Sequence, residues 1–257
     1  KDKYTKYLKE LGCEFVDLKI NTHSLSVFKN LSLFLKYIFY IYIYKPKYIF
    51  SYTIKPNIFC SLISLLFFLR FKVVLTITGL GTIFTNNNFF YLILRFIYIL
   101  TSKISYHCFF HNQYDLNLFS KKKHKNFSVI PGSGVDLNYF QFSKMIEEFS
   151  CVNFLFIGRI IREKGVIELL EAAKKLKLQN FNFKLHLIGE LSPNNPNTLN
   201  VDNFYKSIDN EYIFYSKSEF DVRKYIIKSD CIILPSYREG MPKSLLDSSS
   251  MGRPILG

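Results

Sequence analysis

Two groups of charged residues, each beside a glycine, carry most of the chemistry that this sequence suggests. The first runs from Gly158-Arg159 to Lys164-Gly165, directly after an apolar segment with the character of a strand. The second is Glu239-Gly240, with Asp247 eight positions after the glutamate. Backbone N–H groups and the positive end of a helix dipole favour phosphate at turns that lead into helices. Cations at such turns suit a diphosphate, and the two carboxylates suit the hydroxyl groups of the same ligand.

The elements around the second group explain how it would be positioned. Cys231 to Leu234 has the length and β-branched content of a buried strand, and Pro235 ends it. A polar loop follows, and Pro242 is suited to the first position of a helix. The N–H groups of residues 243–245 are therefore predicted to be free and to point back at the loop.

The segment LPSYREGMPKSLLDSSSMGRPIL resembles the E-x7-E signature of the group-one family of retaining glycosyltransferases, which have the GT-B fold of two Rossmann-like domains. The resemblance implies that Glu239 contacts the donor sugar. It implies that Gly240, Met241 and Pro242 help to hold the sugar and the diphosphate, and that Asp247 contacts the ribose. The family usually has glutamate at this last position, and aspartate is one methylene shorter. The alternative is that Glu239 and Asp247 are ordinary solvated acids.

The same resemblance assigns roles to the first group. In the family, the arginine of a G-R pair and the lysine of E-K-G bind the donor diphosphate and offset the charge that grows on the leaving group. Arg159 and Lys164 match these positions, and the alternative is that they are surface charges flanking a turn. The implied catalytic set is therefore Arg159, Lys164 and Glu239. The implied donor-binding set is Gly158, Gly240, Met241, Pro242, Ser244, Leu245 and Asp247.

The first half of the chain alternates between strands and helices, as a doubly wound parallel sheet does. The segments SYTIKPN and ITGLGTIF also resemble family members that build bacterial O-antigens, capsules and lipid-linked oligosaccharides. Thr78, Gly79 and Gly81 follow a predicted strand and are candidates for a wall of the cleft. A Gly-x-Gly pair is equally compatible with a plain tight turn.

Apolar periodicity predicts the elements and the domains. Strands are expected over 13–20, 48–52, 71–78, 107–111, 153–157, 183–189, 212–215 and 231–234, and helices over 1–11, 25–44, 58–70, 89–100, 112–119, 221–228 and from 166 onward. We predict an acceptor-side domain over 1–137, a linker over 138–150 and a nucleotide-sugar-binding domain over 151–257. The sequence is expected to be a fragment that lacks the first strand of one domain and the end of the other.

The composition indicates an anionic partner. The 257 residues include 27 Phe and 18 Tyr and carry a net charge of +14. Nucleic acid, acidic lipid headgroups and a nucleoside diphosphate are all compatible with this charge. The resemblance favours the last two and no nucleic acid. The lysine-rich run 121–125 is either a solvated surface or, with the aromatic-rich helices, a peripheral contact with an anionic membrane.

Several other classes of site are disfavoured. Five widely spaced cysteines without C-x-x-C spacing indicate reduced thiols in a cytosolic protein. The sequence has no D-x-D pair, which favours a metal-independent reaction without a cofactor. It also lacks the Walker A loop of P-loop NTPases and the G-x-S-x-G elbow of hydrolases.

The sequence thus predicts a metal-independent hexosyl- or N-acetylhexosaminyltransferase at the inner face of a bacterial membrane. It would transfer a sugar, with retention, from a UDP-sugar to a saccharide or undecaprenyl-type lipid-linked acceptor in lipopolysaccharide or capsule synthesis. A non-catalytic protein that binds membranes or polyanions and a nucleotide-sugar epimerase on the same fold are the alternatives.

Overall fold

A computed structural model of the chain describes residues 5–18, 26–68, 70–85, 88–145, 150–191 and 198–257. Within these ranges it contains two parallel β-sheets, one on each side of the predicted linker. The α/β class and the two-sheet architecture predicted from the sequence are therefore confirmed.

The first sheet has four strands in the order β1-β2-β3-β4, all parallel. Consecutive strands are neighbours, so right-handed crossovers place their connecting helices on one face of the sheet. Helices α3 and α5 contact each other on this face, and α2 packs beside α3. The elements of this half are α1 (Thr5–Glu10), α2 (Val27–Tyr44), β1 (Tyr48–Tyr52), α3 (Ile54–Leu66), β2 (Lys72–Ile77), α4 (Gly81–Thr85), α5 (Phe89–Ile104), β3 (His107–Phe110), α6 (Gln113–Phe119) and β4 (Phe127–Val129).

The second sheet has five parallel strands in the order β7-β6-β5-β8-β9. The chain moves from β5 outward to β7 and then returns to the other side of β5, so the strand order reverses between β5 and β8. A reversal of this kind opens a crevice at the carboxyl ends of the two strands. The elements are β5 (Val152–Ile157), a 3-10 helix (Arg162–Lys164), α7 (Val166–Leu178), β6 (Phe183–Ile188), α8 (Val201–Lys206), β7 (Ile213–Ser216), α9 (Arg223–Ile227), β8 (Cys231–Ile233), α10 (Lys243–Ser250) and β9 (Ile255–Leu256).

Three sequence predictions are corrected. Residues 13–18 form no strand and pair with no described strand, although their pattern alternates, because a strand needs a hydrogen-bonded neighbour as well as a pattern. Helix α3 begins at Ile54 and not at Ile58, which places Pro56 inside its first turn, where no intrahelical donor is lost. Pro242 is the N-cap of α10 and not its first helical residue. The Pro- and Asn-rich stretch 192–199, for which the sequence favours a loop, lies mostly outside the described residues.

Helix α2 is exposed along much of its length. Among the residues that the structure describes, no helix has both the length and the apolar character needed to cross a membrane. The apolar side chains of α2 that point inward, such as Ile41, pack on the core of the first sheet.

One buried amide ties together three elements of the first half. Asn57 on α3 is fully buried, and its Nδ2 donates to the Thr76 carbonyl oxygen of β2 at 3.3 Å and contacts the Tyr98 hydroxyl of α5 at 2.9 Å. Because a buried polar group without a partner is costly, this contact fixes α3 and α5 relative to β2.

We expect Asn57→Ala to lower the free energy of unfolding by about 2 kcal/mol, since it removes the partner of two buried groups. The matched control is Asn117→Ala on the exposed side of α6, where Asn117 accepts a hydrogen bond from the exposed Gln113, and a change below about 0.5 kcal/mol is expected there. Urea denaturation followed by circular dichroism measures both. Equal effects of the two substitutions would contradict the role of Asn57.

Candidate functional site

The crevice of the second sheet is built from backbone contacts that exclude side chains. A Cβ at Gly189 would lie 1.7 Å from the Gly158 carbonyl oxygen, and a Cβ at Gly165 would lie 2.0 Å from the Pro235 carbonyl oxygen. Gly165 also has φ of 68°, a conformation that glycine adopts without strain. The turn after β5 and the loop after β8 therefore touch at the level of the backbone.

This contact brings two predicted catalytic residues together. The Nζ of Lys164 donates to a carboxylate oxygen of Glu239, and both side chains are about three-quarters or more buried, with 20% and 24% exposure. The Tyr237 N–H also donates to the Glu163 carbonyl oxygen at 3.0 Å, which fixes the register of the two loops. A cation and an acid thus lie side by side at the carboxyl ends of β5 and β8.

Arg159 lies on the same edge of the sheet but has a different environment. It lies two residues after the end of β5 and is exposed. Its guanidinium makes no ion pair with any residue in the described part of the chain. The turn therefore presents Lys164, which is held by Glu239, and Arg159, which faces solvent.

The first half of the chain closes the other side of the crevice. A Cβ at Gly240 would lie 2.1 Å from the Thr78 carbonyl oxygen, and a Cβ at Gly79 would lie 3.8 Å from the Gly240 N. The Nδ2 of Asn112 donates to the carbonyl oxygens of Glu239 at 3.2 Å and of Gly240 at 3.0 Å. Thr78 and Gly79 thus border the loop that carries Glu239, as a cleft wall would.

Two further glycines of the first half, Gly132 and Gly81, lie in different surroundings. Gly132 has φ of 66°, and a Cβ there would lie 2.8 Å from the Cγ of Met241, so Met241 is also held between the halves. Gly81 is the first residue of α4 and faces Ile54 of its own half. Of the three predicted wall residues, only Thr78 and Gly79 reach the second half.

The amino end of α10 differs in part from the prediction. The Leu245 N–H donates to the Pro242 carbonyl oxygen at 3.1 Å, so it is not free. Within the described residues, the N–H groups of Lys243 and Ser244 have no backbone acceptor. The Leu245 side chain packs on the cores of the second sheet. The expectation of free donors is corrected at Leu245, because a tight first turn satisfies its N–H.

Asp247 lies one turn into α10 and is 6% exposed. Burial raises the pKa of its carboxyl group, and the Lys243 ammonium partly opposes this shift. Their ion pair has an N···O distance of 2.9 Å. The predicted ribose contact of Asp247 stays a prediction, since the described contacts of its side chain are with its own helix.

Potential metal ligands do not cluster in the described ranges. No group of three or more His, Cys, Asp or Glu side chains there could hold a metal ion. All five cysteines are free thiols. Independence from metals stays a prediction, because cofactor use is a property of the reaction.

Sequence reasoning missed the contribution of β3 and α6. Asn112 caps α6 by accepting from the Asp115 N–H at 2.7 Å, and Asp115 pairs with Arg238 of the second half at 2.8 Å. An asparagine at the end of a strand with an acid three residues later is a recognisable start of a helix. Nothing in that local pattern indicates that the ion-pair partner of Asp115, Arg238, lies 123 residues further along the chain.

Comparisons with known proteins agree with this arrangement. Residues 152–257 match the family model described as "Glycosyl transferases group 1". The chain is 25% identical over 272 residues to N,N'-diacetylbacillosaminyl-diphospho-undecaprenol alpha-1,3-N-acetylgalactosaminyltransferase from Campylobacter jejuni, an alignment that covers 99% of this chain and 70% of the relative.

Two solved structures share the fold. Sucrose-phosphate synthase from Thermosynechococcus elongatus superposes with a TM-score of 0.72 at 14% identity and covers 93% of this chain and 64% of its own. HepE from Anabaena in complex with UDP-glucose gives a TM-score of 0.69 at 13% identity and covers 87% and 62%. The chain therefore spans less than two thirds of either structure. Residues 152–257 are thus similar to the group 1 glycosyltransferases, and the described part of the chain has the GT-B fold.

Proposed function

We propose that the protein of which this chain is part transfers a sugar from a nucleoside-diphosphate sugar to a saccharide acceptor. The single observation that carries the proposal is the meeting of Lys164 and Glu239 at the strand-order reversal of the second sheet. Ligands of open α/β sheets bind at such a reversal. Arg159 and the N–H groups of Lys243 and Ser244 add positive charge at or near the same edge.

The proposed chemistry relies on fixed charges. As the bond from the sugar to the diphosphate breaks, negative charge grows on the diphosphate oxygens, and Lys164 and Arg159 are assigned to stabilise it. Glu239 is assigned to accept hydrogen bonds from hydroxyl groups of the donor sugar, and Asp247 to contact the ribose. These roles need no metal ion, so we propose that the reaction proceeds without one.

The donor is proposed to be a UDP-sugar, and the product to keep the anomeric configuration of the donor. UDP-glucose is the ligand in the HepE structure whose fold this chain shares. Retention is the stereochemistry of the family that the loop after β8 resembles.

The acceptor is proposed to be a lipid-linked saccharide of undecaprenyl type. The name of the Campylobacter relative specifies an undecaprenyl diphosphate acceptor, and its alignment covers nearly the whole chain. The place of action would then be the cytoplasmic face of the membrane in cell-surface polysaccharide synthesis.

Peripheral contact with an anionic membrane is supported by the outer faces of α2 and α5. Neither helix contains an acid, and the exposed cations are Lys29 and Lys36 on α2 and Lys103 on α5. Arg95 of α5 instead donates to the Ile83 carbonyl oxygen. Large apolar side chains on both helices point to solvent, including Phe28, Phe39, Tyr42, Phe89 and Phe96. Apolar side chains with flanking cations and no acids fit an anionic bilayer surface.

Lys164→Ala is expected to lower the rate of sugar transfer by about 100-fold or more, because it removes a charge that acts on the leaving group. The matched control is Lys174→Ala on the exposed face of α7, which should leave the rate unchanged. The rate is measured with the full-length protein, a panel of radiolabelled nucleotide sugars and a membrane extract as acceptor.

The same assay distinguishes the proposed glycosyltransferase from the two alternative functions and tests the role of Lys164. Near-normal transfer by Lys164→Ala would remove the leaving-group role. A protein that only binds polyanions would turn over no donor, and an epimerase would convert donors without an acceptor.

Asp247→Glu is expected to keep or tighten the affinity for UDP, because the longer side chain extends further from α10 and keeps the charge. Asp202→Glu on the exposed side of α8 is the control and should change nothing. Isothermal titration of UDP into the full-length protein measures both. A large loss of affinity at position 247 would place this carboxylate away from the ribose.

Phe89→Ser combined with Phe96→Ser is expected to weaken binding to vesicles with anionic phospholipids by at least about tenfold, because two apolar side chains no longer enter the bilayer surface. Leu178→Ser, which changes an equally exposed apolar residue on α7, is the control. Vesicle flotation at low and high salt measures binding. Equal binding of the paired variant and the wild type would exclude α5 as the contact.

A further inference from the structure

We propose that Arg238 is a positioning residue that holds the two halves of the chain closed over the crevice, through its ion pair with Asp115. Its Nη2 lies 2.8 Å from the Oδ1 of Asp115. Arg238 belongs to the loop after β8 and Asp115 to the first turn of α6, so the pair joins the two sheets. The effect on transfer rests on the proposed function, whereas the closed arrangement does not.

The burial of the pair makes it sensitive to loss of either partner. Asp115 is 1% exposed and the Arg238 side chain 23%. The second oxygen of Asp115 and the Nε of Arg238 are buried and have no hydrogen-bond partner among the described residues. A buried carboxylate with a single cationic partner becomes an uncompensated charge when that cation is removed.

The surroundings of Arg238 orient its guanidinium toward α6. Its Cζ lies 5.1 Å from the centre of the Tyr114 ring and 6.0 Å from that of Phe84, both in the first half of the chain. Stacking on aromatic rings and a fixed carboxylate suit the planar guanidinium better than an ammonium. Arg238 is therefore held by the first half, although its backbone belongs to the second.

Adjacent residues of this loop are held from opposite sides. Arg238 reaches Asp115 in the first half, and Glu239 reaches Lys164 in the second. Asn112 reinforces the first contact, since its Oδ1 caps α6 and its Nδ2 donates to the Glu239 and Gly240 carbonyl oxygens. Release of Arg238 would therefore remove the ion pair between the halves and leave the loop attached to the first half by the weaker Asn112 hydrogen bonds, which favours opening of the crevice.

The test compares Arg238→Gln, Asp115→Asn and the double variant in the full-length protein. Arg238→Gln leaves a buried negative charge, so we expect a larger radius of gyration by small-angle X-ray scattering without donor. We expect transfer to fall by about 30-fold or more. Asp115→Asn should have a smaller effect. The double variant should recover to the level of Asp115→Asn, because it contains no unpaired carboxylate.

A second measurement separates positioning from general damage. The affinity for UDP, which the second half alone is proposed to bind, should stay within about twofold of the wild type in all three variants. Lys224→Gln, which breaks an exposed ion pair with Glu219 inside the second half, is the control and should alter neither shape nor transfer.

Three results would overturn the inference. They are an unchanged radius of gyration in both single variants, additive losses in the double variant, or a loss of UDP affinity that matches the loss of transfer. The scattering measurement needs no donor, so it tests the closed arrangement even for a protein that transfers no sugar. Asp115→Asn keeps this test available where Arg238→Gln fails to fold.

Discussion

The backbone of the loop that joins β8 to α10 is in close contact with both halves of the chain, and these contacts fix the position of the loop. Gly240 lies against the Thr78 carbonyl oxygen, and Gly165 lies against the Pro235 carbonyl oxygen. Neither position has room for a side chain. Glu239, next to Gly240 in this loop, pairs with Lys164, which lies next to Gly165. The close backbone approach at Gly165 thus brings together the two loops that carry Lys164 and Glu239, and the approach at Gly240 holds the second of these loops against the first half.

Most of the fold could be predicted from local pattern, and the exceptions have physical causes. The segment over Tyr48–Tyr52 was predicted at its observed bounds because a short β-rich run is bounded by Pro46 on one side and by a helix on the other. Residues 13–18 alternate equally well but form no strand. Strand formation depends on a neighbouring strand, and no local pattern contains that information.

The candidate site was predictable to the extent that it lies in one domain. Lys164 and Glu239 both follow strands of the same sheet, and a family resemblance indicated that they would be neighbours. The contacts between the two halves could not be predicted from the sequence. Asn112 and Asp115 look like an ordinary helix start, and their partners in the other half lie 128 and 123 residues away. The Leu245 N–H was predicted to be free, but it donates to the Pro242 carbonyl oxygen in a tight first turn. The sequence alone does not distinguish a tight first turn from one that leaves this N–H free.

The pairing of Lys164 with Glu239 also bears on the kind of ligand that the crevice can select. A simple anion that attracted Lys164 would leave the part-buried Glu239 carboxylate without its cation, which costs free energy. A ligand that carries phosphates and hydroxyl groups together can satisfy Lys164 with the former and Glu239 with the latter. Arg159 is exposed and can attract the anion before the ion pair rearranges. On the proposed function, this charge arrangement favours a phosphorylated sugar over inorganic phosphate, because only the sugar can satisfy Lys164 and Glu239 together.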